Sequence, residues 1–304
     1  MQNSVIIYGN NSKLNNRGNM AKVAAIQMAS GPNVSANLSE ARRLISDAVE
    51  SGAELVVLPE NFAHMGMSEN DILDIAEAPM NEHLANEAAK YPIQNFLSLI
   101  AKEEGVWILG GTIPIKSAQS DNKIVAACLL FNAQGAVVAR YDKIHLFDMD
   151  LGDQGGAYNE SNFTDAGNKV VVVETPFGKL GIAICYDLRF PELFREMVSE
   201  GMEVLALVSS FTAVTGKAHW EVLNRARAIE NLCFVVSSAQ GGYHVNGRET
   251  YGDSMIIDPW GGIMDRLAHG SGFAIANINA ESLQKTRKNF PVLDHIKLPC
   301  RLSQ

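Results

Sequence analysis

The chain has 304 residues, 47% of them hydrophobic and 19% charged, enough apolar material for one large α/β domain or two smaller ones. A net charge of −9 argues against nucleic acid or an anionic membrane as its main partner, and no stretch approaches the roughly 20 apolar residues that span a bilayer. The four cysteines, Cys128, Cys185, Cys233 and Cys300, form no CxxC pair, so neither a zinc spacing nor a small disulfide framework is visible, and a reducing cytoplasm fits best.

Residues 1–19 are crowded with asparagine and lack a periodic apolar face, apart from Val5-Ile6-Ile7-Tyr8. They read as a disordered or non-native leader before a single domain over 20–304. Val23–Met28 reads as a buried strand. Leu38, Ala41, Leu44, Ile45, Ala48 and Val49 then share one helical face, stopped by Gly52. Leu55–Leu58 is a second apolar strand, which makes a βαβ unit and implies a parallel sheet. It runs into Pro59-Glu60-Asn61; a glutamate there can cap a turn, face solvent or act as a base. His64-Met65-Gly66-Met67 reads as a lid or a surface crossing, and His64 has no metal-ligand spacing to another histidine.

A helix is expected over 82–104, then a strand Val106–Gly111 and a hairpin joining Ile124–Phe131 to Ala136–Tyr141 through Gly135. Lys143 follows that hairpin as Glu60 follows its strand. His145, Asp148 and Asp150 lack a defined ligand spacing, so no metal is expected there. The polar loop 152–167 contains Glu160 and carries no phosphate-cradling glycine pattern. Val170–Glu174 and Lys179–Cys185 are the next strands. A helix from Pro191 and a strand Val204–Val208 complete a second βαβ unit. A helix carrying Trp220, Leu223, Ala226 and Ile229 leads into the strand Cys233–Ser238, with Ala239-Gln240-Gly241-Gly242 at its end. A hairpin from Asp253, a strand Gly272–Ile278 and a helix over 280–289 close the pattern, with no linker to divide it.

Cys185 is the most informative residue. It ends an apolar β-branched run and precedes a proline-initiated helix, the place where open α/β sheets put their ligands. A helix N-terminus and nearby cations would favour its thiolate, although a small buried cysteine is the commoner role.

Leu58-Pro59-Glu60, the segment Tyr141–Asp148 and the segment Ile184–Glu192 stand in chain order and together resemble the motifs of the nitrilase superfamily of carbon–nitrogen hydrolases. The resemblance implies a four-layer α-β-β-α sandwich, no cofactor, a small-molecule amide substrate and at least a homodimer pairing through the helix after Pro191 and the C-terminal tail. It implies Glu60, Lys143 and Cys185 as the catalytic triad. Their chemistry fits: a thiolate forms a thioester, a carboxylate shuttles the proton, and an ammonium stabilises the oxyanion with the Tyr186 N–H. Glu160 matches a second glutamate of the family that orients the lysine or assists the base.

Within the superfamily, the segments 186–193, 218–223, 225–231 and 239–244 are most similar to the Nit1-type branch, the deaminated glutathione amidases, ahead of the ω-amidases. An acyl half ending in a carboxylate needs a cation. Arg189 is the nearest candidate; an ion pair with Asp187 or Glu192 is its structural alternative. Thr212, Gln240 and His244 are expected to line the pocket, whereas His219 and Trp220 read as a helix face. The competing readings are an ω-amidase and an inactive scaffold on the same fold.

Overall fold

The computed structural model describes residues 20–79, 90–150, 152 and 157–298. The strand β1 (Met20–Met28) is followed by helix α1 (Val34–Glu50), β2 (Leu55–Val57), α2 (Pro92–Glu104), β3 (Trp107–Leu109) and β4 (Ile113–Lys116). Next come β5 (Ile124–Phe131), β6 (Val137–Asp142), β7 (Asp148–Asp150), β8 (Ala157–Asn159), β9 (Val172–Thr175) and β10 (Gly178–Ile184). The chain continues through α3 (Pro191–Ser199), β11 (Val204–Ser209), α4 (Ala213–Asn231), β12 (Phe234–Tyr243) and β13 (Glu249–Tyr251). It closes with β14 (Ser254–Ile257), β15 (Ile263–Leu267), β16 (Gly272–Asn279) and α5 (Ala280–Asn289).

The main sheet runs β4-β5-β3-β2-β1-β12-β11-β10-β9, and β6, β13, β14, β15 and β16 attach to it off this path. Strands β3, β2, β1, β12, β11 and β10 are mutually parallel, as the two βαβ units require. Side chains alternate between two cores. From β1, Val23 and Ala25 enter one and Ala24, Ile26 and Met28 the other; Leu55 and Val57 part from Val56 in the same way. Successive residues of a strand point to opposite faces, so this sheet is covered on both sides. The second core is closed by Ala41, Leu44 and Ile45 of α1 and Leu97 and Ile100 of α2. On the other side of the molecule α3 and α4 pack together, and α4 lies on β12. The curled sheet between two helical layers is the expected α-β-β-α arrangement.

Local chemistry sets the helix ends. Asn33 accepts the Ala36 N–H at 3.0 Å to start α1. Pro92 opens α2, and the buried Glu77 carboxylate accepts from the Ile93 N–H at 2.6 Å and the Gln94 N–H at 3.1 Å.

Four differences from the sequence expectations bear on the site. The strand β12 runs on through Gln240 to Tyr243, because its end pairs with Gln27 and Met28 of β1 and with β13. The strand β4 was not foreseen; Pro114 is tolerated because β4 is the sheet's edge. The polar loop carries β8, which pairs with β7 just before the loop as a two-stranded ribbon, and a one-turn 3-10 helix Glu160–Asn162. Among the described residues the helix expected over 82–104 begins at Pro92; positions 82–89, the 1–19 leader and Cys300 lie outside them. No helix among the described residues is long and apolar enough to cross a membrane.

Candidate active site

Three strand ends deliver the key side chains. After β2 the chain passes Pro59 to Glu60, and Asn61 turns it in the left-handed region at φ 57°, its N–H held by Thr112 Oγ1 at 2.8 Å. After β6, Lys143 is pinned through its backbone, donating to Ala126 O at 3.0 Å and accepting from the Gly167 N–H at 2.7 Å. After β10, Cys185 adopts φ 49° and opens a 3-10 turn, Cys185–Arg189. A non-glycine residue held there costs roughly 1–3 kcal/mol and persists only when its surroundings fix it. Asp187 supplies much of that fixing. Fully buried, it accepts from the Ile184 N–H at 2.9 Å, the Tyr141 hydroxyl at 2.7 Å and the His145 N–H at 3.1 Å. The His145 Nδ1 also lies 2.7 Å from it, with its ring stacked on Phe190. The cysteine turn is thereby tied to the segment that carries Lys143.

Lys143 is 2% exposed, and its Nζ donates at 2.9 Å to Glu60 Oε1 and at 2.9 Å to each oxygen of Glu160. Glu160 is also held by the Phe147 N–H at 2.7 Å. Burial works against the ammonium, yet the pull of Glu160 and then Glu60 outweighs it and keeps the Lys143 pKa well above the ordinary lysine value. Burial raises the Glu160 carboxyl, Lys143 opposes it, and Glu60 adds to the rise.

Cys185 departs from expectation. Its pKa is pushed up to about 12, first by burial and then by the Glu60 charge, against the opposing effects of Lys143, the Ser209 hydroxyl and the Ser210 N–H. The helix that was expected to favour a thiolate starts only at Pro191, past the intervening 3-10 turn. The resting group is a thiol, and it needs a base.

Glu60, Lys143, Glu160 and Cys185 line one cavity of about 300 Å³, small enough for a short-chain substrate. Tyr186, Arg189 and Thr212 line it too, and Thr212 Oγ1 accepts the Thr215 N–H at 3.3 Å to cap α4. Arg189 pairs with neither Asp187 nor Glu192. Its guanidinium lies over the Phe211 ring at 5.1 Å and the Tyr186 ring at 5.9 Å, with Nη1 3.1 Å from His219 Nδ1. His219 is exposed on α4 and touches the cavity only through Arg189, while Trp220 is fully buried.

Gln240 and His244 are not part of the lining. Gln240 accepts the Ser30 N–H at 3.0 Å and donates to Ser30 Oγ at 2.8 Å and Glu60 O at 3.1 Å. His244 has Nδ1 2.8 Å from Ser30 O and Nε2 2.7 Å from Thr250 Oγ1. Both hold the framework behind Glu60. The 64–67 loop, read from the sequence as a lid or a surface crossing, lines the cavity, and so does Arg248, which was not singled out. No group of three or more His, Cys, Asp or Glu suited to a metal occurs among the described residues.

A family model described as Carbon-nitrogen hydrolase matches residues 22–288. A deaminated glutathione amidase of Synechocystis is 45% identical over 274 residues, spanning 90% of this chain and 96% of that protein. One of Mus musculus is 40% identical over 276 residues, spanning 90% and 82%. The crystal structure of Saccharomyces cerevisiae Nit3, described as a member of branch 10 of the nitrilase superfamily, superposes with a TM-score of 0.80 at 30% identity, over 92% of this chain and 97% of that one. The chain belongs to the carbon–nitrogen hydrolase family, within the nitrilase superfamily, and is an amidase.

Proposed function

We propose that this amidase hydrolyses deaminated glutathione to 2-oxoglutarate and Cys-Gly through a thioester on Cys185. The observation that carries the chemistry is the Lys143 ammonium, 2.9 Å from both glutamates in the cavity that Cys185 lines. Glu60 takes the thiol proton as sulfur bonds to the amide carbon, using the carboxylate oxygen that Lys143 leaves free. It then gives that proton to the departing nitrogen as the C–N bond breaks. Water enters next, losing a proton to Glu60 while its oxygen attacks the thioester, and the thiol is restored. Lys143, kept charged by its two carboxylates, and the Tyr186 N–H receive the developing oxyanion. Glu160 holds Lys143 in place, and Arg189 takes the carboxylate at the end of the acyl arm.

The substrate is supported by the relatives so named, 36–45% identical over most of their own length. Its test is steady-state comparison of deaminated glutathione, 2-oxoglutaramate and simple aliphatic amides. The expected result is a kcat/KM at least about 10-fold higher for deaminated glutathione, the value of roughly one extra contact. Preference for 2-oxoglutaramate would make the protein an ω-amidase instead.

A cytoplasmic homodimer completes the reading. The dimer is supported by apolar groups left on the surface of α4 (Val222, Ile229), the β14–β15 turn (Trp260) and the C-terminal segment (Phe290, Ile296, Leu298).

A further inference from the structure

The cavity contains three cations and treats them differently. Lys143 is matched by two carboxylates. Arg189 and Arg248 also line the cavity, yet neither forms an ion pair with any described carboxylate. Glu69, the remaining acidic residue of the lining, sits exposed at the rim and pairs with neither. Two guanidinium groups facing one small cavity without counter-ions, in a chain of net charge −9, call for anionic groups on the ligand.

Arg248 is a built position and not a stray surface side chain. A tight turn sets its backbone: His244 N–H donates to Arg248 O at 2.9 Å, and Arg248 N–H donates to Asn246 Oδ1 at 3.0 Å. Its Nη2 donates to Ser210 O at 2.6 Å, next to the N–H that reaches the Cys185 sulfur, and its guanidinium lies over the Tyr158 ring at 5.3 Å. Its Nε is buried and has no partner. A buried guanidinium donor left unmatched is uncommon in a native protein and calls for an account.

We propose that Arg248 binds the carboxylate on the leaving-group half of the substrate, so that the two arginines clamp a dicarboxylate across the scissile amide. This rests on the substrate proposed above, which carries one carboxylate on each side of the bond. Arg189 belongs to the same turn as Cys185 and suits the short acyl arm. Arg248 comes from the β12–β13 turn, on the Tyr158 side. Asn246 of the same turn donates to Gly66 O at 2.7 Å, which places that turn against the loop covering the cavity's rim. The leaving dipeptide must extend toward that rim to depart.

The test compares wild type, Arg248→Met and Arg248→Lys on three amides: deaminated glutathione, the same compound with its C-terminal carboxylate converted to an amide, and 2-oxoglutaramate. Arg248→Met should raise KM for deaminated glutathione roughly 10- to 100-fold with kcat little changed, the signature of lost uniform binding. Its kcat/KM on the two substrates lacking the distal carboxylate should fall by less than about 2-fold, as expected of a site that the substrate no longer uses. Capping the carboxylate should cost the wild type about as much as the mutation does, and Arg248→Lys should recover part of the loss. Equal losses on all three substrates would assign Arg248 a structural or acyl-side role, and no cost of capping in the wild type would also overturn the proposal. The wild-type preference between deaminated glutathione and 2-oxoglutaramate reports separately on the substrate, so the two readings can fail independently.

Discussion

Glu60→Gln is expected to lower kcat about 10³- to 10⁴-fold while making Cys185 easier to alkylate at neutral pH. The first effect follows from the thiol's pKa of about 12, which leaves almost no nucleophile at neutral pH unless a base removes the proton during attack. In the proposed mechanism Glu60 acts in both half-reactions, which puts the loss at the upper end of the range for general-base catalysis. The second effect has the opposite sign because the Glu60 charge is itself a cause of the raised thiol pKa. Glutamine removes that charge, while Lys143, the Ser209 hydroxyl and the Ser210 N–H still work against burial, so more thiolate exists at any given pH. Rates of iodoacetamide labelling at Cys185 beside steady-state kinetics check both halves. Parallel loss of labelling and turnover would show only a damaged site.

Lys143→Met should remove activity about 10²- to 10³-fold through the lost oxyanion donor and should destabilise the fold by about 3–5 kcal/mol at neutral pH. Two carboxylates now held 2.9 Å from one ammonium would face each other without it. One must then take up a proton. The Glu160 carboxyl already titrates above its ordinary value of 4.5, and loss of the cation raises it further, since Lys143 is what opposes the rise. A group whose folded pKa is raised stabilises the fold at low pH, and that contribution disappears as pH climbs through the folded value. The variant's Tm relative to wild type should therefore fall as pH rises from about 4.5 toward 8. A pH-independent difference would contradict the proposed charge balance.

The residues that were legible in the sequence stand at strand ends. Glu60 and Cys185 each follow an apolar β-branched run and Lys143 follows the second strand of a hairpin, so their residue types and positions could be read locally, and the cavity holds all three. Glu160 could be found only through resemblance, because the ribbon and one-turn helix that present it have no apolar period. Gln240 and His244 look equally functional, yet both are occupied by Ser30, which lies 210 and 214 positions away. The Asp187 network was hidden for the same reason: its partners Tyr141 and His145 are 46 and 42 positions distant. The direction of the Cys185 pKa was misread because a sequence displays cations and helix starts but not burial or the Glu60 charge, the two largest causes. Arg248 carries no motif; its position depends on the Ser210 carbonyl and Tyr158, brought together by tertiary structure.

The most direct measurement is a single-turnover reaction, with wild-type enzyme in excess over deaminated glutathione, quenched in acid and digested for mass spectrometry. The expected result is a 2-oxoglutaryl thioester on the peptide bearing Cys185, appearing together with Cys-Gly. Release of Cys-Gly with no acyl group on that peptide, or with the group on Cys128 or Cys233, would contradict a nucleophilic Cys185.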